Sequence, residues 1–437
     1  MARGPRVLRP DRAQLYWDMI DLESQIEADH LARVVWAFVD GLDLSALYER
    51  IKARDEVAGR PTADPKVLLA LWLYATLDGV GSARALARLC RAHAAYRWLC
   101  GGVPVNYHGL SDFRTLDGEL LDRLLSESVA GLAAEGLVRL DEVAVDGTKL
   151  RANAGKGSFR KPAALSDWEH AAWARVDRLK AELDCDPEAS ERRRRGALER
   201  AQREIAERAG AARRKLAQLQ TEKTKRAKTH KKQESEKGDP EVSTTDPEAR
   251  RMKMADGGFR PAYNLLLAVA PHEQVILGVE PTDRRNDSGL ATPMVEQIER
   301  RYGRRPARLL LDTNLATGDE IVALAGHPEG GTIVYAPPPA DKKHVKPETL
   351  RKRARQRQRE PAELKAWRER MASAAGQIVY RRRRLIETVN GQLKNHGLAT
   401  LALRGLAKIR CEVLIHAIAH NIRRGHALRL AAASPPP

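Results

Sequence analysis

The sequence lacks the features that would tie it to a membrane or to an oxidising compartment. No apolar run reaches the ~18 residues of a membrane-spanning helix, and the opening MARGPRVLRPDR has no apolar core of a signal peptide. Only four cysteines occur in 437 residues. Cys90, Cys100, Cys185 and Cys411 are far apart and form no Cys-x-x-Cys pair. They imply neither a zinc site nor a disulfide framework, so a reducing cytoplasm is the expected setting.

What the chain has in excess is positive charge. Lys and Arg number 76 against 58 Asp and Glu, a formal net charge of +18. Such an imbalance calls for a polyanionic partner, most simply nucleic acid, with an anionic membrane surface the weaker alternative. The length suits two or three domains with a sizeable core.

Residues 1 to about 137 read as helical. Asp64-Pro65 opens DPKVLLALWLYATLDG with a cap and a proline at the first helical position, and Ser82 caps SARALARLCRAHAAYRWLCGG. At VRLDEVAVDGTKLRANA the period changes to that of a strand, with Asp146 at the change of face. An Asp is unfavourable there by propensity; the competing reading is a turn Asp, because Asp-Gly is also a hairpin signal. From Ser166 to about Pro247, apolar residues recur every three or four positions in a charged sleeve. That predicts a helical hairpin broken at Asp184–Pro187 and followed by a mobile Lys-rich segment, TEKTKRAKTHKKQESEKGDP. PAYNLLLAVAPHEQVILGVEPTD predicts a hairpin turning at Pro271, LATPMVEQIERRYG a helix, and PARLLLDTN a buried strand ending in Asp312. TGDEIVALAG reads as a short helix and GTIVYAP as a further strand. A charged helical stretch at 340–370 precedes YRRRRLIETVNGQLK, and RGLAKIRCEVLIHAIAHNIRRG reads as a closing helix.

In YRRRRLIETVNGQLK, Tyr380, Arg383, Glu387 and Lys394 are spaced by three, four and seven, which predicts one helix edge carrying all four. A lone acid on a cationic edge suits a metal ion beside a phosphate. The alternative is an ordinary i,i+4 surface pair of Arg383 with Glu387, worth a few tenths of a kcal/mol. Asp146 and Asp312 converge if their strands are neighbours. Three carboxylates at one point repel unless cations neutralise them, which two divalent ions about 3.5–4 Å apart would do.

VAVDGTKLRANA around Asp146, RPAYNLLLAV, LLLDTN with Asp312, and Tyr-x2-Arg-x3-Glu-x6-Lys at Tyr380, Arg383, Glu387 and Lys394 together resemble the bacterial insertion-sequence transposases of the DDE class. GRPTADPKVLLALWLYATLDGVGSARALARLC is similar to their helical N-terminal domain. The resemblance implies an α/β fold with a ribonuclease H-like mixed sheet over 138–165 and 248–437. It also implies a helical domain over 1–137, for DNA binding or dimerisation, and an insertion over 166–247. It implies that Asp146, Asp312 and Glu387 bind two Mg2+ ions, with Mn2+ as a substitute. Tyr380, Arg383 and Lys394 would grip phosphates, with Lys149, Arg151 and Arg404 as further DNA contacts.

The implied activity is metal-dependent cleavage at element ends and strand transfer to target DNA, through a hairpin intermediate in related enzymes. The implied partners are double-stranded DNA and a second protomer, in the bacterial nucleoid. The chain departs from many relatives where Thr313-Asn314, rather than x-Gly-Tyr, follows Asp312, which puts the turn after the second acid in question. It also lacks the cysteines often found ahead of the Glu helix. A non-catalytic, transposase-derived DNA-binding protein is the competing function. An RNA-binding helical scaffold would account for the charge but not for the acids.

Overall fold

The computed structural model describes residues 21–51, 62–115, 117–184, 189–229, 239–327, 330–339 and 347–433. Its first part is helical, as expected: α1 Leu31–Asp40, α2 Ser45–Glu49, α3 Pro65–Leu77, α4 Ala83–Ala92, α5 Ala94–Cys100, α6 Tyr107–Phe113 and α7 Gly118–Ala134. Local chemistry sets the ends. The Asp64 carboxylate accepts the Lys66 amide at 2.8 Å, with Pro65 at the first helical position. Asn106 and Asp117 cap α6 and α7 in the same way, and Gly101, at φ +54°, ends α5 in the left-handed region. Helix α3 is buried on all sides and forms the axis of this part.

The chain then enters β1 (Glu142–Arg151), passes through β2 (Phe159–Arg160) and leaves for two long helices, α8 (Pro162–Asp184) and α9 (Ala189–Thr229). These form the expected hairpin, with Leu165, Val176, Ala206, Ala212, Leu216 and Leu219 buried between and beneath them. The break expected at Asp184–Pro187 falls largely on residues outside the described ones. The segment expected to be mobile from residue 221 onward is helical through Thr229. Its Lys, Glu and Ala are strong helix formers, and elongating an existing helix escapes the cost of nucleation.

The chain returns through β3 (Val242–Ser243), β4 (Arg250–Lys253), β5 (Phe259–Ala270) and β6 (Val275–Thr282). Then follow α10 (Ala291–Tyr302), β7 (Arg308–Leu310), α11 (Gly318–Ala325), β8 (Ile333–Tyr335), α12 (Pro347–Gln358) and α13 (Ala362–Ala372). The main sheet is mixed and ribonuclease H-like. Its order is β4-β5-β1-β7-β8, and β6 shares the outer edge of β5 with β4. β1 runs antiparallel to β5 and parallel to β7, and β7 is parallel to β8. The β5–β6 hairpin turns at Pro271–Gln274 as expected.

The segment read as one helix from Tyr380 to Lys394 is not one. Helix α14 (Ala374–Arg381) passes into a 3-10 turn at Arg382–Arg384, then α15 (Leu385–Leu393), then a π-turn at Lys394–Leu398. Arg382 explains the tightening, because it turns away to pair with buried Glu142 at 2.9 Å. A 3-10 turn advances three residues per turn, so the four signature side chains do not share one ideal helical edge.

The closing helix α16 (Leu406–Ala433) packs its apolar face against α3, α7 and β6. Buried Asn421 donates to Ile276 O and accepts from Ile276 N, both at 2.8 Å, standing in for a neighbouring strand at the edge of β6. One buried apolar cluster includes Leu71 and Leu124 of the N-terminal helices, Leu150 and Leu267 of the sheet, and Ile418 of α16. Among the described residues, no helix is long and apolar enough to cross a membrane.

Candidate functional site

The last residues paired in the parallel β1–β7 ladder are Ala144 and Leu310. Two residues further along the chain from each stand Asp146 and Asp312, so the ladder's register brings them to the same level, midway along β1 and just past the carboxyl end of β7. This is where open sheets place their chemistry. Asp146 lies where β1 passes from fully buried Val145 to half-buried positions, so its side chain faces the rim of the core rather than water. Burial pushes its carboxyl up to about 6. Arg383 holds it down against that, while the negative charges of Asp312 and Asp287 add to the rise.

The end of α14, the 3-10 turn and α15 bring the remaining groups. Arg383 Nη2 lies 3.6 Å from Asp146 Oδ1, and its Nη1 lies 3.3 Å from Glu387 Oε1. One guanidinium thus bridges the first and third acids. Glu387 itself is largely exposed (66 %). Asn390, one turn past Glu387, donates to Asp146 Oδ2 at 3.2 Å, and its own Oδ1 is buried without a partner. Burial raises the pKa of the Tyr380 phenol. Arg383 opposes that rise, and Asp312, Asp146 and Glu387 all add to it, so all three acids act on this hydroxyl.

Asp312 is engaged differently. Its Oδ1 accepts the amides of Asn314 at 2.6 Å and Leu315 at 3.0 Å, and Asn314 Nδ2 approaches Oδ2 at 3.4 Å. The turn put in question by Thr313-Asn314 is tight after all. The Asp closes it with its own side chain, as Asx turns do, and Thr313 Oγ1 donates to Pro337 O at 3.2 Å. Among the described residues, no group of three His, Cys, Asp or Glu side chains is arranged to hold a metal. The donors nonetheless suit a hard divalent cation: carboxylate oxygens from three elements, a buried amide oxygen with no partner, and a carboxyl whose charge is disfavoured until a cation arrives. Arg383 supplies that countercharge here.

The basic residues named from sequence divide. Lys394 is exposed at the start of the π-turn, and Arg151 is exposed at the end of β1. Arg404 is exposed but tethered to Asn153, through O at 2.9 Å and Oδ1 at 3.2 Å. It lines a groove of about 610 Å3 with Lys408 and residues of α9. Lys149 turns its ammonium to Asp287, 3.6 Å away, on the face of the sheet opposite Asp146; its burial lowers its pKa and Asp287 counteracts that.

Asp287 and Asn390 are the residues sequence reasoning missed. Asp287 also accepts from Asn264 Nδ2, and its carboxylate lies over Gly147 so closely that a Cβ there would meet it at 2.7 Å. A glycine after Asp146 is therefore a packing requirement. Nothing in DRRNDSG distinguishes Asp287 from an ordinary loop acid. Asn390 could have been found, because it lies three residues after Glu387 and so projects near the same face.

Residues 202–422, just over half of the chain, match the family model described as a transposase DDE domain. Residues 20–116 match one described as a transposase domain (DUF772). The first match takes in Asp312 and Glu387 and begins after Asp146. No curated protein and no solved structure matches the chain.

Proposed function

Since the chain belongs to the transposase DDE-domain family, we propose that it cleaves DNA at the ends of its own element and joins them to target DNA, with Asp146, Asp312 and Glu387 as its catalytic acids. The observation that carries this reading is the convergence of Asp146 and Asp312 in register on parallel strands, with Arg383 linking Asp146 to Glu387. Such convergence of charge has no structural benefit of its own, because it leaves Asp146 partly buried against two other acids.

The three acids would hold a pair of divalent ions, Mg2+ or Mn2+. Bound there, the ions would neutralise the carboxylates, activate water and stabilise the leaving oxygen of an in-line displacement at phosphorus. Glu387, being exposed, can swing toward Asp146 without disturbing the core. Arg383 is positioned to pass from Glu387 to a phosphate oxygen, where its fork is worth more than in a surface ion pair. Tyr380 and Lys394 flank it, and Arg151 and Arg404 extend the cationic surface along the duplex; Lys149 sits further back, on Asp287. Hydrolysis breaks one P–O bond and frees a 3′-hydroxyl. That oxygen then attacks a target phosphodiester and displaces another 3′-oxygen. Transfer from both ends calls for two protomers on one DNA, and a hairpin intermediate is compatible with the same two displacements.

A second reading, a DNA-binding protein without nuclease activity, is favoured by one observation: Asp312 is occupied in closing its own turn. Nicking of duplexes carrying the inverted repeats that flank the gene, assayed with and without Mg2+, separates the two. Asp146→Asn, Asp312→Asn and Glu387→Gln should each abolish nicking and leave end binding nearly intact. The asparagine at 312 still accepts the Asn314 and Leu315 amides, so the turn survives. Retained nicking in any one variant removes that residue from the site, and no Mg2+-dependent nicking by the unaltered protein favours the second reading.

A further inference from the structure

Between Gly79 and Ser111 the chain has no Asp or Glu, but four arginines and two histidines. In the structure this segment spans α4, α5 and the start of α6. Leu86 and Ala87 of α4 point into the core, and Arg84, Arg88 and Arg91, spaced by four and three, form one exposed stripe along the opposite face. Among the described residues, none of the three is paired with a carboxylate, unlike Arg33, Arg50 or Arg123 of neighbouring helices. The Arg84 guanidinium lies over the exposed ring of Tyr107, 5.1 Å from its centroid, and the rings of Tyr107 and His108 are 3.9 Å apart. The stripe is thus continued by a flat aromatic edge.

Its position relative to the candidate site is set by contact. The π-turn that begins at Lys394 bends through Gly397, at φ +95°, which packs so closely on Gly79 that a Cβ would lie 3.4 Å from Gly79 O. Arg114 Nη1 donates to Gly81 O at 2.7 Å. The turn from which α4 departs is therefore fastened directly beside the residues following Lys394.

We infer that the Arg84–Arg88–Arg91 stripe, with Tyr107, grips the sugar-phosphate backbone of the duplex whose cleavage point lies at Asp146 and Glu387. This rests on the transposase reading and assigns the N-terminal helices to DNA rather than to the pairing of protomers. Three unpaired guanidiniums on about two turns of helix suit a run of phosphates. An interface between two copies would bring like charges together without compensation.

The test is a salt titration of full-length protein on a random-sequence duplex of roughly 20 base pairs, followed by anisotropy. Each phosphate neutralised adds about 0.9 to the slope of log K against log salt. Arg84→Ala/Arg88→Ala/Arg91→Ala should lower that slope by about two to three and weaken binding about tenfold or more at physiological salt, while the corresponding triple Lys variant keeps the slope. If the alanine triple loses its circular-dichroism melt, Arg88→Ala alone decides, with a loss of about one in slope. A wild-type slope in a folded variant overturns the inference and leaves the transposase reading standing. So does an unchanged slope accompanied by a change in sedimentation, which makes the stripe a protomer contact. A wild-type protein that does not bind the duplex overturns the reading beneath it.

Discussion

Arg383 reaches Asp146 across the gap between the 3-10 turn before α15 and β1, its Nη2 standing 3.6 Å from the carboxylate, while its other terminal nitrogen holds Glu387. A pair that looks local in sequence is therefore a three-residue bridge in space. The guanidinium is only 14 % exposed, so it is not the solvated i,i+4 pair that its spacing alone would allow.

Arg383→Ala should lower single-turnover nicking about 100-fold at saturating Mg2+, through lost phosphate positioning. Arg383→Lys should recover little, because an ammonium cannot reproduce the fork. A rate equal to wild type in Arg383→Ala would return the Arg383–Glu387 pair to the surface.

Asp146 imposes a cost on the metal-free fold. Its pKa rises from 3.8 in the unfolded chain to about 6 in the folded one. The folded state therefore holds the proton more tightly, and stability present below pH ~4 is lost as pH rises through ~6. That is about 2–3 kcal/mol at neutral pH. Asp146→Asn should therefore be nicking-dead yet melt higher than wild type at pH 7, with the advantage vanishing near pH 4. Equal melting at both pH values would contradict this.

Gly147 and Asp287 should show coupling. Gly147→Ala forces a methyl to within 2.7 Å of the Asp287 carboxylate and should cost about 1–3 kcal/mol. Asp287→Ala in the same chain should recover part of that loss, although it frees Lys149 and Asn264. Additive losses in a double-mutant cycle of denaturant melts would show that the two residues do not share this contact.

Asn421→Ala strips partners from both the N–H and the C=O of Ile276. Leaving two buried backbone groups unpaired should cost about 2–4 kcal/mol by urea denaturation. Nicking per folded molecule should stay at the wild-type level, because the contact lies at the β6 edge and not at the acids.

The candidate acids could be singled out from sequence because their signals are local. Asp146 interrupts a β-branched strand, Asp312 ends an apolar one, and Glu387 sits in a cationic run, each readable within a dozen residues. The one-helix reading of Tyr380–Lys394 failed because the pull of Glu142 on Arg382 comes from a strand 240 residues earlier.

Sequence alone determined the kinds of element and the excess of basic charge, and singled out the three acids as candidates, because periodicity, capping and charge are properties of neighbouring residues. Tertiary structure decided who meets whom: the β1–β7 register that levels Asp146 with Asp312, the Arg383 bridge, the Asp287 carboxylate over Gly147, and the fastening of α4 beside Lys394. Those pairings join residues far apart in the chain. Backbone register and packing choose between partners that local patterns leave equivalent.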